Sequence, residues 1–340
     1  MESSLQYPAL LVTEPANMRY FHRLPFGAGA IYLSGARRVF LSWAGREAPM
    51  PAGVELRLIE RKDLGREAKG LMAGDAAPYL AVEKSVPLAI YSQLLDAIPD
   101  VRAVDGDPVR DLREIKSAWE LEQIRSACEI TDFAFGKALE IIRPGASELE
   151  IAAWLEYQMR LGGAEGSNKT IVAAGKNGAV PHHWPTGYLV QKGDFVTMDF
   201  GCTVNGYHSD LTRTVVVGAP TAKQKKIYET VLASQLAGLD AVKEGEEGSR
   251  IDGISRGIID GTEFEGSFIH GLGHGIGLDI HEGTGLGKEE RRRLKAGMVV
   301  SVEPGIYLEG YGGVRIEDIA LVEKDRARPL ELSPKQLIAL

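Results

Sequence analysis

The feature that most constrains this chain is a repeat inside it. Gly193-Asp-Phe-Val-Thr-Met-Asp199-Phe-Gly201 and Gly297-Met-Val-Val-Ser-Val-Glu303-Pro-Gly305 share a glycine, an apolar run, a carboxylate and a glycine at the same offsets. The register holds further on, where Gly206-Tyr207 matches Gly310-Tyr311. Each copy is an apolar strand ending in an acid, a glycine-containing turn and a second apolar strand. That second strand carries another acid, Asp210 in the first copy and Glu317 in the second, which takes three more residues to reach it. A period of roughly a hundred residues is far longer than the ~20–50 of a solenoid. It implies instead two related halves facing each other across a pseudo-two-fold axis, with four carboxylates between them.

Four acids at strand positions where a core would take Val or Ile need a physical reason. Like charges crowded into a dry site are strongly unfavourable unless a cation neutralises them. Four carboxylates balance two divalent cations. The plainer alternative, acids on the solvent faces of two hairpins, does not account for the matched offsets. Histidine placement points the same way: six of the seven histidines (182, 183, 208, 270, 274 and 281) fall within the half of the chain that holds the repeat. The stretch His270-Gly-Leu-Gly-His274-Gly-Ile-Gly-Leu-Asp-Ile-His281-Glu-Gly is dense in glycine, which lets backbone approach a tightly liganded group. It completes neither GxGxxG nor GxxxxGK[ST], which argues against nucleotide binding.

With 39 Lys and Arg against 47 Asp and Glu, the net charge of −8 speaks against nucleic acid or an anionic membrane as partner, both of which select a basic face. No apolar run approaches the ~20 residues of a membrane span. The opening MESSLQYPALLV lacks a basic stretch followed by a long apolar one, so a cytoplasmic location is expected. Cys128 and Cys202 are accordingly expected as free thiols. Apolar runs at residues 9–12, 30–33, 39–43 and 56–59 predict strands, and Asp105-Gly106-Asp107-Pro108 is a polar breaker at the domain boundary. A helix is expected from about Leu121 to Ile142, stopped by Pro144-Gly145. Ser147-Glu148-Leu149-Glu150 and Thr221-Ala222-Lys223-Gln224 are capping boxes opening helices that run to about Gly162 and Val242.

Five motifs carry a family resemblance: Met198-Asp-Phe-Gly, Ser209-Asp-Leu-Thr-Arg-Thr214, His270-Gly-Leu-Gly-His274, Val302-Glu-Pro-Gly305 and Gly313-Val-Arg-Ile-Glu317-Asp. In order and spacing the chain from Ile115 onward resembles the pita-bread-fold metallopeptidases: Xaa-Pro aminopeptidase, prolidase and methionine aminopeptidase. The preceding part looks like the N-terminal domain of prolidase and aminopeptidase P. The resemblance implies an α/β protein, with a small mixed-sheet N-terminal domain over residues 1–113 and a pseudo-symmetric pita-bread catalytic domain over 114–340. It also implies a homodimer. Carried over, Asp199, Asp210, His274, Glu303 and Glu317 would hold two divalent metal ions, a donor set that suits manganese and tolerates cobalt, zinc or iron. Glu303 would take the proton of the attacking water. His281 and His182 resemble histidines that hold the scissile carbonyl and its oxyanion. His270 resembles one that contacts substrate or relays protons, and Arg315, two residues before Glu317 on the same strand face, is placed to orient the metal-binding carboxylates. His183, Trp184 and His208 have weaker claims, and His208 reads as a turn residue.

The implied function is removal of the residue ahead of proline from peptides (Xaa-Pro aminopeptidase), with Xaa-Pro dipeptidase as the alternative. A metal-free binding protein or a creatinase-like enzyme of the same fold is disfavoured because all five ligands are present. Where the family often carries Asp-x-Arg-Tyr, this chain has Leu41-Ser42-Trp43-Ala44-Gly45-Arg46-Glu47, which leaves substrate-end recognition open to change. A dipeptidase must also recognise a free carboxylate after the proline. The stretch after His281 offers no cation before Lys288, and Arg315 is assigned to the metal site. Tripeptides Xaa-Pro-Xaa are therefore expected to be cleaved better than Xaa-Pro dipeptides.

Overall fold

The computed structural model describes residues 6–23, 28–35, 37–45, 50–105 and 108–340. Gly106 and Asp107 of the polar breaker, the first five residues, and Arg46 and Glu47 lie outside them. The chain divides into two compact units, Met1–Arg113 and Glu114–Leu340.

In the first unit, strand Ala9–Val12 contains no polar residue, so both of its faces need cover. Leu11 joins Leu64, Leu71 and Leu94 from the helices Leu64–Gly74 and Leu88–Ala97. Leu10 and Val12 point the other way, to Met18 on the helix Pro15–His22. Six strands form the sheet in the order Glu55–Leu58, Arg38–Ser42, Gly29–Ser34, Ala9–Val12, Leu80–Glu83, Val101–Val104. Two of its pairings are antiparallel and three parallel, the mixed sheet that was expected.

The named strands of the second unit pair antiparallel throughout. The first repeat folds as the hairpin Phe195–Phe200 with Leu211–Val216, flanked by Ile171–Ala174. The second repeat pairs Val299–Val302 with Asp318–Val322 and Gly305–Leu308 with Gly312–Arg315. Matched glycines take matched backbone: φ is +96° at Gly193 and +92° at Gly297, and +78° at Gly206 and +71° at Gly310. These left-handed angles strain any residue with a Cβ, which explains why glycine recurs at those offsets. A pair of helices backs each half. Ala118–Ala138 and Glu148–Leu161 pack Ala134, Phe135 and Leu155 against Val196, Met198 and Leu211. Ala222–Ala241 and Gly248–Asp260 pack Ile227, Val231 and Ile251 against Val300, Val302 and Ile316.

Both expected capping boxes form, at Ser147 with Glu150 and Thr221 with Gln224. A third, Ser117 with Glu120, starts the long helix three residues earlier than its apolar spacing suggested. That helix also stops short, at Ala138 rather than Ile142. The backbone N–H groups of Ile141 and Ile142 both turn back to the Ala138 carbonyl, giving a tight turn before Pro144. Between the halves, a bridge pairs Thr212 with Glu317, and the buried hydroxyls of Thr197, Thr212 and Thr214 face the second repeat. The acids therefore meet where the two hairpins touch.

Candidate metal centre

Asp199 stands near the end of strand Phe195–Phe200 and Asp210 just ahead of Leu211–Val216. Glu303 follows Val299–Val302, and Glu317 lies in the break between Gly312–Arg315 and Asp318–Val322. His274 is the centre of the short strand Gly273–Gly275. Ligand atoms of Asp210, His274 and Glu317 all lie within 4.8 Å of one another. His274 Nε2 is 3.5 Å from Asp210 Oδ2 and 3.4 Å from Glu303 Oε1. Its Nδ1–H donates to the Gly275 carbonyl at 3.1 Å, which fixes the tautomer and turns Nε2 towards the acids.

Three of the four carboxylates, those of Asp199, Glu317 and Glu303, are held from outside. Arg315 Nη2 donates to Asp199 Oδ2 at 2.5 Å, and Arg315 Nε to Thr212 Oγ1 at 3.2 Å. Thr212 Oγ1 in turn donates to Glu317 Oε2 at 2.6 Å. Ser301 Oγ donates to Glu303 Oε1 at 3.2 Å while accepting the His274 backbone N–H. Glu317 Oε1, by contrast, is buried with no hydrogen-bond partner. A buried carboxylate oxygen without a donor is costly, and it is relieved by a cation.

Electrostatics say the same. Burial, reinforced by the neighbouring acids, lifts the Asp199 carboxyl to about 6 and the Glu303 carboxyl to about 7 even against the pull of Arg315. Burial and the fields of Asp210, Glu303 and Asp199 push Glu317 well above the carboxylate range. At His274 burial works downward, but Asp210 and Glu303 outweigh it and raise the imidazole to about 9. Four acids against one arginine and one imidazolium still lack positive charge, and oxygen donors with one imidazole fit divalent metal ions.

All nine residues singled out from the sequence, Asp199, Asp210, His274, Glu303, Glu317, His182, His270, His281 and Arg315, line one cavity of about 790 Å³. The His281 ring sits 4.1 Å from that of His274, nearly edge to face. Burial lowers both His281 and His182, so both are neutral at pH 7 and can donate an N–H. His270 is tied differently. Its Nδ1–H donates to the Gly271 carbonyl at 2.8 Å, and its Nε2 accepts the Tyr307 hydroxyl at 2.8 Å. Tyr307 also accepts from Arg315 Nη1 at 2.9 Å, closing a relay from His270 to Asp199.

Tyr307, Thr212 and His208 escaped the sequence reading. His208 lines the cavity, with Nδ1 2.6 Å from Asn168 Oδ1, and is no simple turn residue. Its position two residues before Asp210, as Arg315 is two before Glu317, was the available signal. His183 instead bonds the buried Glu148 carboxylate at 2.9 Å, alongside the Ala174 N–H, Asn177 and Thr186. Trp184 is mostly exposed, with Lys169 Nζ 4.2 Å from its ring centroid.

Residues 122–324 match the sequence model of Metallopeptidase family M24. The chain belongs to that family. Residues 3–115 of this M24 chain match the Creatinase/Prolidase N-terminal domain. It is 35% identical to the Xaa-Pro dipeptidase of Pyrococcus furiosus over 337 residues, 97% of this chain and 94% of that protein. Its fold superposes on an Xaa-Pro dipeptidase from Bacillus anthracis with TM-score 0.92 and 36% identity, covering 98% and 95% of the two chains. An X-Pro aminopeptidase from Thermotoga maritima gives TM-score 0.90 at 31% identity, covering 99% and 98%. The M24 chain is thus a metallopeptidase, a hydrolase of peptide bonds, and membership implies a pair of divalent ions. Among the described residues no helix is long and apolar enough to cross a membrane.

Proposed function

We propose that this enzyme is an Xaa-Pro dipeptidase. The observation that carries this reading is the likeness, in sequence and fold and through both units, to the Pyrococcus and Bacillus dipeptidases. It reverses the order expected from the sequence, where cleavage of longer peptides came first. Xaa-Pro aminopeptidase stays as the second reading because of the Thermotoga structure.

Asp199, Asp210, His274, Glu303 and Glu317 would hold the two ions. When bound, these supply Lewis acidity and a water activated near neutral pH. Glu303 would accept the proton of the attacking water and pass it to the departing prolyl nitrogen. The neutral imidazoles of His281 and His182 would donate to the scissile carbonyl oxygen as negative charge develops on it. Arg315 would hold Asp199 in place, with Tyr307 and His270 fixing the guanidinium from behind.

The oxygen-rich donor set favours manganese as the resident ion. The two buried free thiols, Cys128 and Cys202, accord with a reducing cytoplasm. A homodimer belongs to the same reading. Kinetics of stripped and manganese-reloaded enzyme on Ala-Pro, Ala-Pro-Ala and Ala-Ala-Ala test the function, with Ala-Pro expected to have the highest kcat/KM. A preference for Ala-Pro-Ala makes the enzyme an aminopeptidase. Equal cleavage of Ala-Ala-Ala removes proline from the account.

A further inference from the structure

The free carboxylate of an Xaa-Pro dipeptide is two bonds from the scissile nitrogen. A group that recognises it must therefore line the same cavity as the metal-ligand cluster. Among the described residues two permanent cations do so, Arg315 and Lys169. Arg315 is buried and its guanidinium is already shared among Asp199, Tyr307 and Thr212. Lys169 is exposed, and among the described residues no hydrogen bond or ion pair engages its ammonium. Its Nζ lies over the Trp184 ring, 4.2 Å from the centroid.

The backbone that presents Lys169 is anchored on both sides. The Asn168 N–H donates to the Gly201 carbonyl at 2.8 Å and its Nδ2 to the Ser209 carbonyl at 2.8 Å. Thr170, on the other side, is buried. Lys169 also stands close enough to His182 for its field to lower that imidazole, after burial and Arg315. An otherwise unengaged cation thus sits on an anchored segment beside a histidine proposed to hold the scissile carbonyl.

We propose that Lys169 is the specificity residue that reads the free carboxylate of an Xaa-Pro dipeptide, with Trp184 supporting its side chain at the cavity wall. This rests on the dipeptidase reading above. It also supplies the cation that the sequence after His281 lacks, from the other half of the domain. An ammonium–carboxylate contact is available to Ala-Pro but not to Ala-Pro amide or Ala-Pro-Ala, whose proline carbonyl is an uncharged amide.

The test is steady-state kinetics of the metal-loaded enzyme on Ala-Pro, Ala-Pro amide and Ala-Pro-Ala, for wild type, Lys169→Met and Lys169→Arg. The quantity read is the ratio of kcat/KM for Ala-Pro to that for its amide. Wild type should favour Ala-Pro. Lys169→Met should reduce the ratio by about 10- to 100-fold, the range of a lost charge-assisted hydrogen bond, mostly through KM. Lys169→Arg should recover most of it, with metal content and Tm as in wild type. A Lys169→Met ratio equal to that of wild type, or an equal loss on both substrates, overturns the assignment. Wild type that prefers Ala-Pro-Ala to Ala-Pro overturns the dipeptidase reading itself, and the assignment with it, without reference to any variant.

Discussion

The two halves of the catalytic domain start from one pattern and end unequal. In the first, Phe195–Phe200 and Leu211–Val216 pair without interruption over six residues. In the second, both strands break at the acids: Pro304, with no N–H for the ladder, follows Glu303, and Glu317 separates two strands. Four residues beyond the first acid the first copy has Thr203 and the second Tyr307. Two residues before the second acid stand His208 and Arg315. The two copies thus share the acids, while the buried Arg315 and its phenol stand on one side only. Arg315 serves across the axis by holding Asp199, and Thr212 of the first half returns the service by holding Glu317. The four acids are matched across the axis; His274 and the groups that hold the acids in place are not.

The largest effect should come from the symmetric part. Asp210→Asn removes a charge next to both His274 and Glu317, and kcat should fall by about three orders of magnitude or more. Elemental analysis should find fewer than two ions per chain, against two in wild type. Glu317→Gln, its counterpart, should fall within an order of magnitude of Asp210→Asn. A large disparity would show that the acids are as unequal as their surroundings. Retention of two ions and full activity in both would remove the cluster from the chemistry.

The asymmetric part comes next. His281→Ala should keep both ions and lose about 10²–10³-fold in kcat, the scale of a deleted oxyanion donor. His182, from the first half, should cost a similar amount if both imidazoles serve one carbonyl. Near-wild-type turnover of His281→Ala would withdraw that role from it.

Protons sharpen the comparison without mutation. In the ion-free protein, the folded values of about 6 for Asp199, about 7 for Glu303 and about 9 for His274 all exceed their ordinary values. The folded state then binds more protons than the unfolded one. Stability from these groups is complete below their ordinary values and is lost as pH rises through the folded ones. The Tm of EDTA-treated protein should fall between pH 5.5 and pH 8, and that of metal-loaded protein should fall less. Saturating Mn²⁺ should therefore raise Tm more at pH 8 than at pH 5.5, as measured by calorimetry. The opposite order would mean that the acids are not crowded in solution as they are here.

Much of this was legible in the sequence because acids and glycines in a repeat report on backbone and charge together. A glycine held at φ above +90° and an acid at a strand end are local requirements, and local requirements survive as spacing. The gathering of Asp199, Asp210, Glu303 and Glu317 was therefore legible from the repeat, the place of His274 beside them only through the family resemblance, and the helices opened by Ser147 and Thr221 from their capping boxes. Tyr307 and Thr212 were not, because a tyrosine or a threonine on a strand is ordinary and only the contact across the axis makes it special. His208 misled because its partner, Asn168, is forty residues away. The long helix overran its true end because apolar spacing continues through residues 139–142, where the backbone has already turned.

The smallest effect concerns the residue that most clearly separates the halves. The Tyr307 hydroxyl accepts from Arg315 Nη1 and donates to His270 Nε2, an orientation fixed because His270 Nδ1–H is already given to Gly271. Burial raises the phenol to about 12 and lowers His270 to about 4, so neither ionises near pH 7 and the relay keeps one arrangement of protons. Tyr307→Phe leaves the ring volume intact but strips a donor from His270 and an acceptor from Arg315. Arg315 keeps Asp199 and Thr212, so the guanidinium should loosen rather than leave. The expected cost is about 1–2 kcal/mol of stability, typical of a buried polar pair left short of one partner. A loss in kcat of about 3- to 10-fold should accompany it, the same order of free energy expressed as rate. Urea unfolding, kcat and metal content of the variant measure all three, and two bound ions should remain. A fall in kcat of three orders would place Tyr307 among the groups that touch substrate. No change in stability or rate would mean that the second half gains nothing from its phenol and works as well with what the first half has in its place.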